Sequence, residues 1–187
     1  MTRVEKIKKR LFEVEYYTKK EWWGADKTIL TDEEIKKESI MIRKAVATAY
    51  VCKNMPIEIK PDELIVGICT MASIGFGKEF PDYALPEEKE NALESCFTTK
   101  APWGHHPPDY AMLLNKGLRG IEQDIYAKTE EELGKDAPDA EKLDFYRAML
   151  ITLDGVQDLA ERYAELAVKC AAEEKDPARR AELVKIS

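Results

Sequence analysis

The sequence predicts a mainly α-helical fold with one or two short strands. Three observations carry that prediction. Apolar residues recur at three- and four-residue steps over most of the 187 positions. Helix-start signals stand at Thr31-Asp32, Pro108-Asp109 and Asp176-Pro177. Residues suited to strands are confined to the stretch between Ile57 and Gly67.

The first segment, Arg3 to Glu21, spaces Ile7, Leu11, Val14 and Tyr17 as one face of an amphipathic helix, and Trp22-Trp23-Gly24 ends it. Thr31-Asp32-Glu33-Glu34 combines a hydroxyl cap at Thr31 with early acids, which suit the positive end of a helix. The helix predicted there carries Ile35, Ser39, Ile42, Val46 and Ala49 on one stripe, and Pro56 stops it. Ile57-Glu58-Ile59-Lys60 alternates, a turn at Pro61-Asp62 follows, and Leu64-Ile65-Val66-Gly67 is a short β-branched run; these are the strand candidates.

From Cys69 to Pro108 glycine and proline interrupt every period, and only Glu87 to Cys96 reads as a helix. Helical order resumes at Pro108-Asp109 with Leu114, Leu118, Ile121 and Ile125 on one face. Gly134 to Pro138 is a linker. The longest helix is predicted from Asp139 to Lys175, with Tyr146, Met149, Leu153, Val156, Ala160, Tyr163, Ala167 and Cys170 as its stripe. Small residues at Ala160 and Ala167 imply a close helical neighbour. Asp176-Pro177 opens a last helix that reaches Ser187 without a Gly or Asn stop, as either a truncated chain or a natural frayed terminus would.

Composition narrows the function. A content of 44% hydrophobic and 35% charged residues is that of a globular protein. The net charge of -7, with Lys and Arg interleaved among acids, argues against nucleic acid. No apolar run approaches a membrane span and no secretory leader opens the chain, so a cytoplasmic location without membrane contact is expected. Cys52, Cys69, Cys96 and Cys170 are too dispersed for zinc or a disulfide framework. His105 and His106 are adjacent, so their side chains diverge and could not grip one metal from the same face. There is no nucleophile elbow, P-loop or dinucleotide-binding glycine pattern, so no cofactor is expected on this chain. One segment stands out: Phe97 to Tyr110 gathers aromatics, hydroxyls and both histidines in a Pro/Gly-constrained loop before a helix, a usual setting for binding residues. His105 there could equally satisfy local backbone.

The strings Arg43-x-Ala45, Asn54-Met55-Pro56-Ile57-x-Ile59-x-Pro61-Asp62-Glu63-Leu64-Ile65-Val66-Gly67, Gly104-His105, Asp109-Tyr110, Gly117-Leu118-x-Gly120-Ile121 and Arg162-Tyr163-Ala164 resemble the amino-terminal part of the glycyl radical enzymes, the pyruvate formate-lyase-like proteins. The resemblance runs from about Ile35 to Ile186 and is closest to the dehydratase and lyase branch. It implies that residues 1–187 are the helical N-terminal portion of a larger enzyme built on a ten-stranded α/β barrel. A glycyl radical, installed by a radical S-adenosylmethionine activase, would act there through a cysteine. The strings that carry that cysteine and glycine, G-C-V-E and R-V-x-G-Y, are not in this sequence, so no residue of the chain is expected to be catalytic.

The resemblance also implies that His105 hydrogen-bonds substrate and that Phe97 lines the same pocket. The implied partners are the barrel, the activating enzyme, a small-molecule substrate and, for the complete enzyme, a second copy. The alternative is a stand-alone helical interaction protein derived from such an enzyme.

Overall fold

The structure is a computed structural model that describes residues 1–15, 22–67, 81–95 and 109–187. In chain order its helices are α1 (Arg3–Lys9), continued by a π-helical turn (Arg10–Glu15), α2 (Glu33–Lys37), α3 (Ile40–Asn54), α4 (Pro86–Glu94), α5 (Tyr110–Leu133), α6 (Ala140–Glu173) and α7 (Pro177–Ile186). They divide between two compact units. One comprises Met1–Trp22, Met55–Phe76 and Asp158–Ser187; the other comprises Trp23–Asn54 and Gly77–Gln157.

In the first unit both short helices start on side-chain caps. Thr2 and Glu5 form a reciprocal box, the Glu5 amide donating to Thr2 Oγ1 at 3.2 Å and the Thr2 amide to Glu5 Oε2 at 2.7 Å. Asp176 accepts from the Ala178 amide at 3.1 Å at the start of α7. Arg179, one turn on, donates to the carbonyls of Glu63 at 2.7 Å and Lys60 at 3.0 Å, and to the Glu182 carboxylate at 2.9 Å.

Those bonds explain why the strand expectation fails. Among the described residues there is no strand; 56–60 has no regular secondary structure, and turns and bends occupy much of 61–67. A strand needs a neighbour for its backbone groups. Here the Lys60 and Glu63 carbonyls are taken by Arg179, and the Lys60 amide by the Glu63 carboxylate at 3.0 Å. Leu64 and Ile65, expected in a buried run, are 50% and 93% exposed. The apolar centre of the unit is instead Met55, Tyr163, Ala167, Ala171 and Leu183, all buried.

In the second unit Asp32, rather than Thr31, caps the first helix, its Oδ1 accepting from the Glu34 amide at 2.9 Å. The stripe predicted as one helix from Ile35 to Ala49 is two. The backbone is extended at Glu38, and Ser39 Oγ accepts from the Ile42 amide at 3.4 Å as the cap of α3. The serine in the middle of the apolar stripe was the sign of that break. Arg43 fills it: the side chain, only 2% exposed as a residue, donates to the Tyr83 carbonyl at 2.8 Å, to the Glu38 carbonyl, and to the carboxylate of Glu88 on α4.

Apolar packing follows on either side of this arginine. Ile29, Ala47, Tyr83 and Ala84 form one cluster, and Ile42, Ala45 and Ala148 another. An isolated parallel bridge joins Thr28 to Asp82, with the Ile29 amide on the Asp82 carbonyl at 3.0 Å and the Asp82 amide on the Lys27 carbonyl at 2.9 Å.

The long helix α6 lies where the sequence puts it, but its buried positions are Ala148, Gly155, Tyr163, Ala167 and Ala171, and Ala160 is exposed. Within the second unit the reason is Gly155. A Cβ there would lie 2.6 Å from Ala49 Cα and 2.9 Å from Ala49 Cβ, so the glycine sets how closely α3 and α6 approach. Gly155→Ala is therefore expected to destabilise the fold by about 1–3 kcal/mol, the usual range for overpacking. A denaturant midpoint equal to that of the unaltered chain would show that this contact is not close-packed.

Candidate functional site

The residues singled out for substrate contact, Phe97 and His105, lie outside the described residues, as do Trp103, His106, Cys69 and Cys96. The structure does describe the two elements that precede and follow their segment, and both belong to the second unit. On one side stands α4, ending at Glu94. Its first turn is held by Glu88, which accepts from the Leu85 amide at 2.7 Å while pairing with Arg43, and by Lys89, which pairs with Asp82 at 2.7 Å. On the other side Asp109 caps α5, its Oδ1 accepting from the Met112 amide at 2.9 Å. Tyr83, at the edge of this arrangement, has its phenol pushed up by burial and further by the Glu88 carboxylate.

Within the same unit a cavity of about 380 Å³ opens between α3, α5 and α6. Met41, Ala45, Ile121, Phe145, Met149 and Leu153 make it apolar, and Lys44 is the one ionisable residue that lines it. An apolar hollow with a single cation lacks the paired acid and base that proton transfer needs. It suits packing of hydrocarbon rather than chemistry.

Among the described residues no three histidines, cysteines, aspartates or glutamates are grouped to hold a metal ion. Cys52 on α3 and Cys170 on α6 are half-buried thiols. Tyr163, in the first unit, has its phenol raised chiefly by burial. No helix among the described residues is long and apolar enough to cross a membrane.

The turn between α5 and α6 holds the second unit's buried carboxylate. Glu132, 4% exposed, accepts from the Asp139 amide at 3.1 Å and from Lys135 at 2.6 Å. It thus anchors the start of α6 from the end of α5, a role that the linker composition at Gly134 to Pro138 did not disclose.

A model of the pyruvate formate lyase-like family matches residues 77–187. That match takes in α4 to α7 and the segment between α4 and α5. The chain belongs to the pyruvate formate lyase-like family. Among curated proteins it is similar to a (2S)-3-sulfopropanediol dehydratase of Klebsiella oxytoca, 38% identical over 80 residues, covering 43% of this chain. It is also similar to an isethionate sulfite-lyase of Nitratidesulfovibrio vulgaris, 35% identical over 91 residues, covering 48% of this chain. Each match spans 10% of the relative's own length.

Two solved structures share the fold. One, for 1,2-propanediol dehydration in Roseburia inulinivorans, aligns with 100% of this chain and 30% of its own at a TM-score of 0.68 and 24% identity. The other, a glycyl radical enzyme from Archaeoglobus fulgidus, aligns with 99% of this chain and 30% of its own at 0.65 and 23%. The mainly helical architecture is thus that of a part of this pyruvate formate lyase-like fold.

Glu132 gives a pH test of the scaffold. Hydrogen bonding from Lys135 first, and from the Asp139 amide next, holds its carboxyl below the ordinary 4.5. A carboxyl whose folded-state pKa is depressed adds stability above its unfolded pKa and loses it as pH falls through the folded value. Glu132→Gln is expected to lower the denaturant midpoint at neutral pH, with the gap to the unaltered chain closing as the pH drops below about 4. A gap that stays constant through that range would contradict the assignment.

Proposed function

We propose that the chain is the amino-terminal helical portion of a glycyl radical lyase of dehydratase type, which breaks a C–O or C–N bond of a small hydroxylated substrate. One observation carries this reading: the family match runs unbroken from residue 77 to 187, across the whole segment that holds Phe97 and His105. The similarity to a dehydratase and to a lyase supports bond cleavage, and the similarity to the dehydratase supports loss of a hydroxyl.

In this reading the chain provides scaffold and one pocket wall, and is inactive by itself. The strings that carry the radical glycine and the thiyl cysteine in this family, R-V-x-G-Y and G-C-V-E, are not in this sequence, so in this reading both residues belong to the rest of the enzyme and no radical step is routed through a residue of this chain. What the chain's own residues would do is bind and protonate. A neutral imidazole at His105 both donates and accepts hydrogen bonds. In its protonated form, placed against a leaving hydroxyl, it would lower the cost of expelling that oxygen by giving it a proton, so that the oxygen leaves as water and the ring returns to neutral imidazole. Phe97 would close the apolar side of the same pocket and help exclude water. Arg43 and Glu88 act at one remove, by fixing α4, whose end lies three residues before Phe97.

The test uses the complete enzyme, activated anaerobically and offered 1,2-propanediol, glycerol, isethionate and (2S)-3-sulfopropanediol in turn. His105→Ala is expected to keep the glycyl radical signal and lower kcat on the preferred substrate by about 10²–10⁴-fold. Unchanged turnover in the variant, or an unaltered enzyme that turns over none of the four or isethionate alone, would contradict the proposal.

A further inference from the structure

The apolar stripe of α5 runs through Tyr110, Leu114, Leu118, Ile121 and Ile125 at steps of four, four, three and four, as one continuous helix would require. The structure buries only its second half. Ile125 is 4% exposed and Leu118 and Ile121 are half-buried, whereas Tyr110 is 62% and Leu114 82% exposed. The break lies at Gly117, whose φ of 65° and ψ of 177° belong to no helix and to a region essentially reserved for glycine.

Two further facts bear on this break. A Cβ at Gly117 would have nothing within 4 Å, so packing does not demand glycine there; only the backbone angles do. The Lys116 ammonium pairs with the carboxylate of Asp124, eight positions on, twice the spacing of an ordinary helical ion pair. That pair latches the kinked form. It is about half exposed at both ends, so the latch is weak.

We propose that Gly117 is a hinge between two states of α5: the kinked form, and a continuous helix in which Tyr110 and Leu114 rejoin the apolar stripe of Leu118, Ile121 and Ile125. Each form has what the other lacks. The kinked form has a backbone open only to glycine and the Lys116–Asp124 latch. The straight form loses the latch, removes Tyr110 and Leu114 from water, and gives the amides after Gly117 their helical acceptors. The inference stands apart from the catalytic reading, since it concerns only residues on α5.

The experiment measures the distance between spin labels at the exposed positions 111 and 127, introduced on genetically encoded bioorthogonal side chains so that the native cysteines stay. A straight helix separates their backbones by about 24 Å, and the kinked form brings them closer. The unaltered chain is expected to show both distances. Gly117→Ala, strained only when kinked, shifts the distribution to the long one. Leu114→Glu, harmless on an exposed side chain but costly on a buried one, shifts it to the short one. A single narrow distance in the unaltered chain overturns the hinge. If Gly117→Ala does not fold, Leu114→Glu decides: loss of the long distance supports the hinge, and an unchanged distribution overturns it.

Discussion

The second unit depends on one buried cation. Arg43 cannot shed its charge, so its guanidinium must be surrounded by acceptors wherever it is buried. The acceptors it finds are backbone carbonyls that would otherwise lack partners. Glu38 lies where α2 has ended, and Tyr83 precedes α4. The carboxylate of Glu88 completes the set and carries the countercharge. A single side chain thereby satisfies a helix terminus, fixes the extended segment at Tyr83 and holds the first turn of α4. Ala45, Ala47 and Ala49 are buried on the same helix, and Ala49 lies against Gly155 of α6.

The first unit solves the same problem with Arg179. Its guanidinium takes the carbonyls of Lys60 and Glu63, while Arg10 pairs with the Glu63 carboxylate at 2.8 Å and Arg162 donates to the Met55 carbonyl at 2.7 Å. The Pro61-Asp62-Glu63 turn is therefore a docking point for arginines. Glu63 serves three groups at once, through its carbonyl and both carboxylate oxygens. Hydrogen bonds to charged groups contribute about 1.5–3 kcal/mol each, enough for such a turn to replace a strand ladder locally.

Most helices were legible because local signals coincide with tertiary ones. Asp109, Asp176 and Pro56 mark ends that α5, α7 and α3 respect, and the period of α6 shows over its whole length. What was not legible depends on partners distant in sequence. The strand reading of Ile57 to Gly67 failed because Arg179, more than a hundred positions away, removes the carbonyls a strand would use. The stripe of α6 was read at Ala160 instead of Gly155 because periodicity does not say which neighbour comes closest. The kink at Gly117 leaves the apolar period intact, so only the glycine itself signalled it. Of the site, the sequence displays Phe97 and His105, and the structure contributes the anchoring of the helices that precede and follow them.

Arg43 organises the unit that carries α4 and α5, and denaturant unfolding of arginine variants tests that role most directly. Breaking a buried pair by removing one partner costs about 3–5 kcal/mol. Arg43→Ala is predicted to lose that amount, and Arg43→Lys to recover only part of it, because an ammonium cannot reproduce the planar fork that meets Tyr83, Glu38 and Glu88 together. A loss below about 1 kcal/mol for Arg43→Ala, the scale of an exposed ion pair, would contradict the account.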